Sequence, residues 1–257
     1  MLQAVILQFR ILALLMGIET RRRFGSNISA MINELFEAGF ILMIMVGIRM
    51  LSGTTAHRGM EIAPFIASGL IILLAFRSNF FSALGTPAAF SRLQNSLNFT
   101  ILDLDIARAA VDFLIYVALA VALFSGLVVA GQSPSPENPL GLIGIMLLGS
   151  SFGLFLGQIL REFLSSGIIS RIVIAIIGRG VIWFSGALFV APELPYAWRD
   201  LILLNPLAHI TEMARTDYFT VYQSDHFSVD YVASWFVGLF VSALVVERAM
   251  RFRSRSA

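Results

Sequence analysis

The sequence predicts an all-α membrane protein with an N-terminal interfacial helix, six transmembrane helices and both termini in the cytoplasm. Of its 257 residues, 58% are hydrophobic and only 13% are charged, and the mean hydropathy is +0.84. A soluble domain carries about 25% charged residues because its surface faces water, whereas lipid-facing helices need almost none. Several apolar stretches also reach the length of about 20 residues at which a helix crosses a bilayer. Soluble enzymes are therefore excluded as a starting class.

The chain is predicted to form a single domain whose elements follow in a simple order. Residues 1–30 begin with an apolar run of fifteen residues, to which Gln3, Gln8 and Arg10 give one polar face, and continue with a basic element. The apolar run predicts a helix lying on the membrane. Five spans lie within 31–190, short outer helices within 191–228, and the sixth span with a basic tail within 229–257. The six spans are predicted at 31–51, 62–84, 109–130, 140–160, 172–190 and 229–246.

The orientation follows from the basic residues, all 18 of which are Arg. Cytoplasmic loops retain positive charge, and placing both termini inside puts most of the Arg residues in the cytoplasm. These are Arg10, Arg21, Arg22, Arg23, Arg92, Arg108, Arg161, Arg171, Arg248, Arg251, Arg253 and Arg255. The segment 191–228 is acidic instead, as expected for an outer loop.

The segment after the second span is predicted to contain a cytoplasmic helix from Phe90 to Leu104. Its apolar residues recur every three or four positions, at Phe90, Leu93, Leu97, Ile101 and Leu104. On this pattern alone, the helix rests on lipid headgroups or docks into a groove on a cytoplasmic partner.

Two short helices are predicted outside, at 196–204 and 206–218. Asn205 is a helix cap and Pro206 a first helical residue. Glu212 and Arg215 are three residues apart, and in the simplest interpretation they form a surface ion pair of small value.

The fourth span carries Gly149, Gly153 and Gly157 at four-residue steps. Such a stripe of small residues lets two helices approach closely. The pattern predicts a packing face, either within one chain or between two chains of a dimer.

Charged residues within the spans need a partner or water, because a guanidinium in hydrocarbon costs about 2.5 to 3.5 kcal/mol on insertion scales. We expect Arg77 to pair with Glu34 or Glu37, with Asp112 as the alternative partner. Such a pair either serves transport or simply neutralises charge where helices meet. Arg179 has no acidic partner at its depth, and we expect it to face a water-filled path for an anionic passenger.

The sequence contains no recognisable catalytic or metal-binding motif. It has no Cys and only three His, and no Walker loop, catalytic triad or metal-ligand cluster. We therefore expect no enzyme activity, no metal and no nucleic-acid partner, and the energy for any transport must come from elsewhere.

Taken in order, these features resemble the membrane subunit of ABC-2 type exporters, in particular the permeases of capsular polysaccharide export, of the polysialic acid or group 2 capsule type. The resemblance runs from about residue 19 to residue 252. A basic-aromatic-glycine element is matched by Arg21, Arg22, Arg23, Phe24 and Gly25. Three further elements are matched by Phe65, Gly69, Phe76 and Arg77, by Asp105, Ile106, Ala107 and Arg108, and by Asn205, Pro206, His209, Glu212 and Arg215. The Trp and Pro that the family usually has in the first span are missing.

The resemblance implies a homodimer in the bacterial inner membrane, joined to two copies of an ATPase subunit that binds ATP and Mg, so that this chain needs no cofactor. The polysaccharide would pass between the two permease copies, and a periplasmic adaptor and outer-membrane export proteins would carry it onward. The cytoplasmic segment becomes the coupling helix, with Phe90, Arg92, Leu93, Leu97, Ile101, Asp105 and Arg108. The charges of the translocation path would be Glu34, Glu37, Arg77, Asp112 and Arg179, and the periplasmic gate Asn205, Pro206, His209, Glu212 and Arg215.

Three alternatives stay open at this point. In the first, the chain is an ABC-2 exporter whose passenger is a glycolipid, an O-antigen or teichoic-type polymer, or a drug. In the second, it is a membrane assembly subunit that does not transport, and in the third it is a membrane-embedded glycan-processing enzyme.

Overall fold

A computed structural model describes residues 2–25, 29–51, 56–85, 99–163 and 168–256. The described residues form helices joined by short loops, with one two-residue hairpin, β1 (Ala56–His57) paired antiparallel to β2 (Met60–Glu61). The helices are α1 (Leu2–Phe24), α2 (Ser29–Leu51), α3 (Ile62–Leu84), α4 (Ile101–Val129), α5 (Pro139–Phe163), α6 (Ile168–Phe184), α7 (Tyr196–Ile202), α8 (Pro206–Tyr218) and α9 (Val229–Ser256), with a 3-10 turn at Ala191–Glu193.

Four of these helices are long and apolar enough to cross a membrane: Ile62–Leu84, Ile101–Val129, Pro139–Phe163 and Val229–Ala249. They correspond to the second, third, fourth and sixth predicted spans, and α3 has the predicted bounds. In α2, which corresponds to the first predicted span, the apolar helical stretch Gly39–Leu51 is shorter than these four helices. The helix predicted over 172–190 ends early, at Phe184, because the backbone from Ser185 to Val190 turns beneath α8.

α3 is the central helix of the bundle, and most of its residues are buried. It packs most extensively against α5, and the glycine stripe makes this packing possible. A methyl group at Gly153 would lie 2.2 Å from the carbonyl oxygen of Phe76, and one at Gly157 would lie 2.5 Å from that of Phe80. The stripe is therefore a packing face within one chain, as one of the two sequence interpretations proposed.

α1 is longer than the predicted surface helix and continues through the three consecutive Arg residues. One of its faces packs against the start of α4, where Leu15, Phe99, Leu104 and Ala107 form a small apolar core. Phe9, on another face, is 68% exposed. α1 thus packs on protein along one face and exposes apolar side chains along another, and its position on the membrane surface stays a prediction.

The prediction of one continuous helix from Phe90 to Leu104 is wrong at its C-terminal end. Phe99 and Thr100 are not helical, and Thr100 caps the new helix α4. The hydroxyl of Thr100 accepts a hydrogen bond from the Asp103 amide at 3.2 Å, and the Thr100 amide donates to the Asp103 carboxylate at 2.7 Å. This capping box begins α4 at Ile101. Phe90, Arg92, Leu93 and Leu97 lie outside the described residues.

Candidate functional site

Glu19 is the centre of a buried group of charges between α1 and α4. Its side chain is fully buried, and its carboxylate accepts hydrogen bonds from Arg22 Nη2 at 2.5 Å and Arg22 Nε at 2.9 Å. The Nε atoms of Arg23 and Arg108 lie 3.6 and 3.8 Å from Glu19 Oε1. Burial alone would raise the pKa of Glu19, but the hydrogen bond and the three positive charges outweigh it and lower the pKa. Glu19 is therefore a carboxylate.

Asp112 on α4 completes this group through an ion pair with Arg23. We call Glu19, Arg22, Arg23, Arg108 and Asp112 the Glu19 cluster. Its two acids and three Arg residues join the C-terminal half of α1 to α4 by charge as well as by apolar contact. Asp112, predicted on the translocation path and as the alternative partner of Arg77, lies beside Arg23 in this cluster. Its role on a path stays a prediction.

Arg77 keeps its predicted position within α3, and its Nε atom is buried without a hydrogen-bond partner among the described residues. The side chains of Glu34, Glu37 and Arg179 lie outside the described part of the chain, although their backbones belong to α2 and α6. Pairing of Arg77 with Glu34 or Glu37 therefore stays a prediction, as does the role of Arg179.

A second buried pair joins α4 to α5. Asp105 accepts a hydrogen bond from Arg161 Nη1 at 2.9 Å and from Gln158 Nε2 at 3.1 Å. Arg161 Nη1 also lies 2.9 Å from the carbonyl oxygen of Ala83. Asp105 was predicted as a coupling residue, but sequence reasoning missed its partners, because Arg161 was counted only as a cytoplasmic charge.

Side chains of α1, α4 and α5 hold the backbone on both sides of the segment 86–98. On its N-terminal side, Arg108 Nη1 donates to the carbonyl oxygen of Gly85 at 2.7 Å. On its C-terminal side, the capping box is joined to α1 by a hydrogen bond from Gln8 to Asp103. The predicted coupling residues Asp105 and Arg108 thus form the frame of this segment, whereas Ile101 is exposed on the first turn of α4.

At the other end of the bundle, Arg215 on α8 is fully buried and binds the loop that follows α6. Its Nη1 donates to the carbonyl oxygen of Phe189 at 2.7 Å, and its Nη2 to those of Gly186 at 2.6 Å and Ala187 at 3.0 Å. Burial lowers the pKa of Arg215, and the carboxylate of Glu212 opposes that shift. One guanidinium thus pairs with three buried carbonyls of this loop, each of which would otherwise need another donor.

Glu212 is 2% exposed, so the interpretation of Glu212 and Arg215 as a surface ion pair is wrong. Glu212 Oε1 lies 3.4 Å from Arg215 Nη1 and accepts a hydrogen bond from the Ala191 amide at 3.1 Å. Glu212 Oε2 accepts from the Tyr222 hydroxyl at 2.5 Å, and burial raises the pKa of that tyrosine. Sequence reasoning missed Tyr222 altogether. We call Arg215, Glu212 and Tyr222 the Arg215 cluster.

The other predicted gate residues lie beside this cluster. Asn205 accepts from the Leu207 amide at 3.1 Å, as the predicted cap of α8, and donates to the Phe184 carbonyl at 2.7 Å. Pro206 is the first residue of α8. His209 Nδ1 accepts from the Ser228 amide at 3.0 Å, so the Nε2 proton points to the Leu203 carbonyl at 2.8 Å. Four of the five predicted gate residues, Asn205, His209, Glu212 and Arg215, therefore join α8 and its cap to the end of α6, to the loop after α6 or to the residue before α9. Gating itself stays a prediction.

Two apolar grooves run between α4 and α5. The first has a volume of about 330 Å³ and includes Phe113 and Leu154, and the second, of about 390 Å³, includes Phe124 and Met146. Across the described ranges, no three His, Asp or Glu side chains come together as metal ligands.

Comparison with known proteins finds relatives along most of the chain, although no family model matches it. The polysialic acid transport protein KpsM of Escherichia coli is 28% identical over 233 residues, which cover 86% of this chain and 88% of that protein. The capsule polysaccharide export inner-membrane protein CtrC of Neisseria meningitidis serogroup A is 23% identical over 218 residues, covering 85% and 82% of the two chains. The resemblance seen in the sequence is thereby confirmed: the chain is a homologue of capsule polysaccharide export inner-membrane proteins of the ABC-2 permease type.

Proposed function

We propose that this chain is the permease subunit of an ATP-driven exporter that moves a capsular polysaccharide across the bacterial inner membrane. The observation that carries the proposal is the extent of the similarity, which covers 86% of this chain and 88% of the polysialic acid transport protein. A match over nearly both full lengths relates the whole architectures, and four apolar helices long enough to span a membrane agree with it.

The proposed topology has six spans with both termini in the cytoplasm. α2 and α6 would complete the set that α3, α4, α5 and α9 begin. The distribution of Arg supports this orientation, because the Glu19 cluster and Arg161 then lie on the cytoplasmic side and the acidic outer segment on the other.

In the proposed assembly, two copies of the chain form the path and two copies of an ATPase subunit bind ATP and Mg. The segment 86–98 docks on the ATPase subunit, and a periplasmic adaptor receives the polymer. What supports docking is the frame of this segment: hydrogen bonds to Gly85 on one side and the capping box at Thr100 on the other hold the flanking backbone to helices that reach into the bundle. A rigid frame transmits the movement of a docked segment to the spans.

The test is to delete the gene in its native host and to locate the surface polysaccharide by cell fractionation. Polymer synthesised normally but trapped inside the cell is the expected result, and the plasmid-borne gene should return it to the surface. Polymer at the surface in normal amount would contradict the proposed passenger. Failure of the tagged chain to co-purify with an ATPase subunit would instead favour a non-transporting assembly subunit.

A further inference from the structure

We propose that Glu19 is a positioning residue for energy coupling, which acts through Arg108 on the start of the segment 86–98 and makes α1 part of the coupling apparatus. The inference rests on the proposed function, since it concerns how movement of the ATPase subunit reaches the spans. It extends the coupling apparatus from the segment expected to dock to α1, a helix outside the spans, and to Glu19 on that helix.

The first argument is that α1 is connected to both ends of the segment. Glu19 faces Arg108, whose other nitrogen holds the Gly85 carbonyl at 2.7 Å, immediately before the segment begins. Gln8 donates to Asp103, whose carboxylate closes the capping box just after the segment ends. These two residues of α1 are eleven positions apart, or roughly 16 Å at the helical rise of 1.5 Å per residue. α1 therefore bridges the base of the segment.

The second argument is the charge balance around Glu19. Three guanidinium groups lie within 4 Å of one fully buried carboxylate. Without its negative charge, Arg22, Arg23 and Arg108 would repel one another in a site that is partly shielded from water. Arg22 is 44% exposed and can turn to solvent, whereas Arg108 is 8% exposed and would be displaced from its position by Gly85.

The third argument is that the remaining contacts keep α1 in place when Glu19 is neutralised. The ion pair of Arg23 with Asp112 and the apolar core around Leu15 do not involve the Glu19 carboxylate. A Glu19→Gln chain is therefore expected to fold and insert, with the position of Arg108 changed.

The experiment compares Glu19→Gln, Glu19→Asp and the control Glu137→Gln in cells that lack the native gene. Glu137 is an exposed carboxylate in the loop between α4 and α5, so its variant repeats the chemical change away from the cluster. For Glu19→Gln we expect normal amounts in the membrane, normal co-purification with the ATPase subunit and continued ATP hydrolysis. Export should fall about tenfold, because a neutral Gln has no charge with which to hold Arg108 beside Gly85. Glu19→Asp should export more than Glu19→Gln, and Glu137→Gln should match the wild type.

A cross-linking experiment separates positioning of Arg108 from attachment of α1. Because the chain contains no Cys, Leu15→Cys with Ala107→Cys introduces the only two thiols, both in the α1–α4 core. A short thiol cross-linker between them fixes α1 to α4 but does not hold Arg108 at Gly85, so it should leave export unchanged with Glu19 intact and should not restore the export that Glu19→Gln loses. A linked chain with Glu19 intact that no longer exports, or a linked Glu19→Gln chain that exports like the wild type, would overturn the proposal.

If Glu19→Gln does not accumulate, Arg108→Lys decides the matter, because lysine keeps the charge opposite Glu19 but not the fork that also reaches Gly85. Normal export by an Arg108→Lys chain, or by Glu19→Gln itself, overturns the inference while the proposed function stands. Absence of an ATPase subunit from the wild-type complex would instead count against the proposed function.

Discussion

The guanidinium carbon of Arg215 lies 4.2 Å from the ring centroid of Phe65, so a fully buried cation on α8 rests on an aromatic ring in the first turn of α3. The same guanidinium binds three carbonyls of the loop after α6. Gly69 lets that loop approach, since a methyl group there would lie 2.7 Å from Ala187 Cα. One side chain thus joins α3, α8 and the end of α6.

Arg215→Ala should lower the free energy of unfolding by about 3–5 kcal/mol, because it leaves the buried Glu212 carboxylate without its cation and three carbonyls without a donor. The thermal unfolding midpoint in detergent and the amount of chain in the membrane measure the effect. Arg199→Ala is the control: Arg199 lies on the surface of α7, 4.9 Å from the Tyr196 ring, and its loss should change stability by no more than about 0.5 kcal/mol. Equal effects of the two changes would contradict the structural role of Arg215.

Gly153→Ala should destabilise the bundle by about 1–3 kcal/mol, because the added methyl group would lie 2.2 Å from the Phe76 carbonyl oxygen and push α3 and α5 apart. Gly144→Ala on the same helix is the matched control. No atom lies within 4 Å of a methyl group at Gly144, and there alanine should be neutral or stabilising. Thermal unfolding of both variants in the same detergent gives the comparison, and a harmless Gly153→Ala would mean that these two helices do not touch at the stripe.

Phe90→Glu or Leu97→Glu should reduce co-purification with the ATPase subunit and leave membrane insertion unchanged. The reason is that a charge on the predicted apolar stripe removes the surface expected to enter the partner. Val221→Glu, which changes an exposed aliphatic residue in the loop after α8, is the control and should retain the complex. Complex at the wild-type level in the stripe variants would argue against docking by this segment.

Arg77→Ala should reduce export. If its partner is Glu37, Arg77→Ala leaves that carboxylate unpaired in the membrane. The double variant with Glu37→Ala should then recover part of the loss, because it removes both charges. Export by each single variant and by the double variant completes the cycle. Strictly additive losses would contradict the pair.

A tag at Gln223 should be accessible from outside the membrane and a tag at Ala257 should not. Protease protection in spheroplasts and in permeabilised cells distinguishes the two positions. The opposite pattern would reverse the topology inferred from the Arg residues.

Composition and hydropathy predicted the elements whose signal is local. The bounds of α3, the cap at Asn205 and the glycine stripe were all readable because each depends on residues within a few positions of one another. The same patterns failed where a short polar motif interrupted an apolar one, as at Thr100. There the stripe through Ile101 and Leu104 continued across a capping box that starts a new helix.

The partners of buried charges could not be predicted, because they are brought together from distant parts of the chain. Glu19 meets Arg108 across 89 positions and Asp105 meets Arg161 across 56, and neither spacing leaves a periodic trace. Hydropathy places both acids at the polar ends of apolar stretches, where water would stabilise a carboxylate as well as a guanidinium would.

The sequence by itself determined that this protein lies in a membrane and which helices are apolar enough to cross it, because a span requires a continuous apolar stretch of sufficient length. The order of its motifs also determined which proteins it resembles. Only the tertiary structure decided that Arg215 is a buried anchor instead of half of a surface pair, and that α1 is connected to both sides of the segment 86–98. Those outcomes depend on which side chains meet once the helices pack, since a buried charge is stable only beside the group that compensates it.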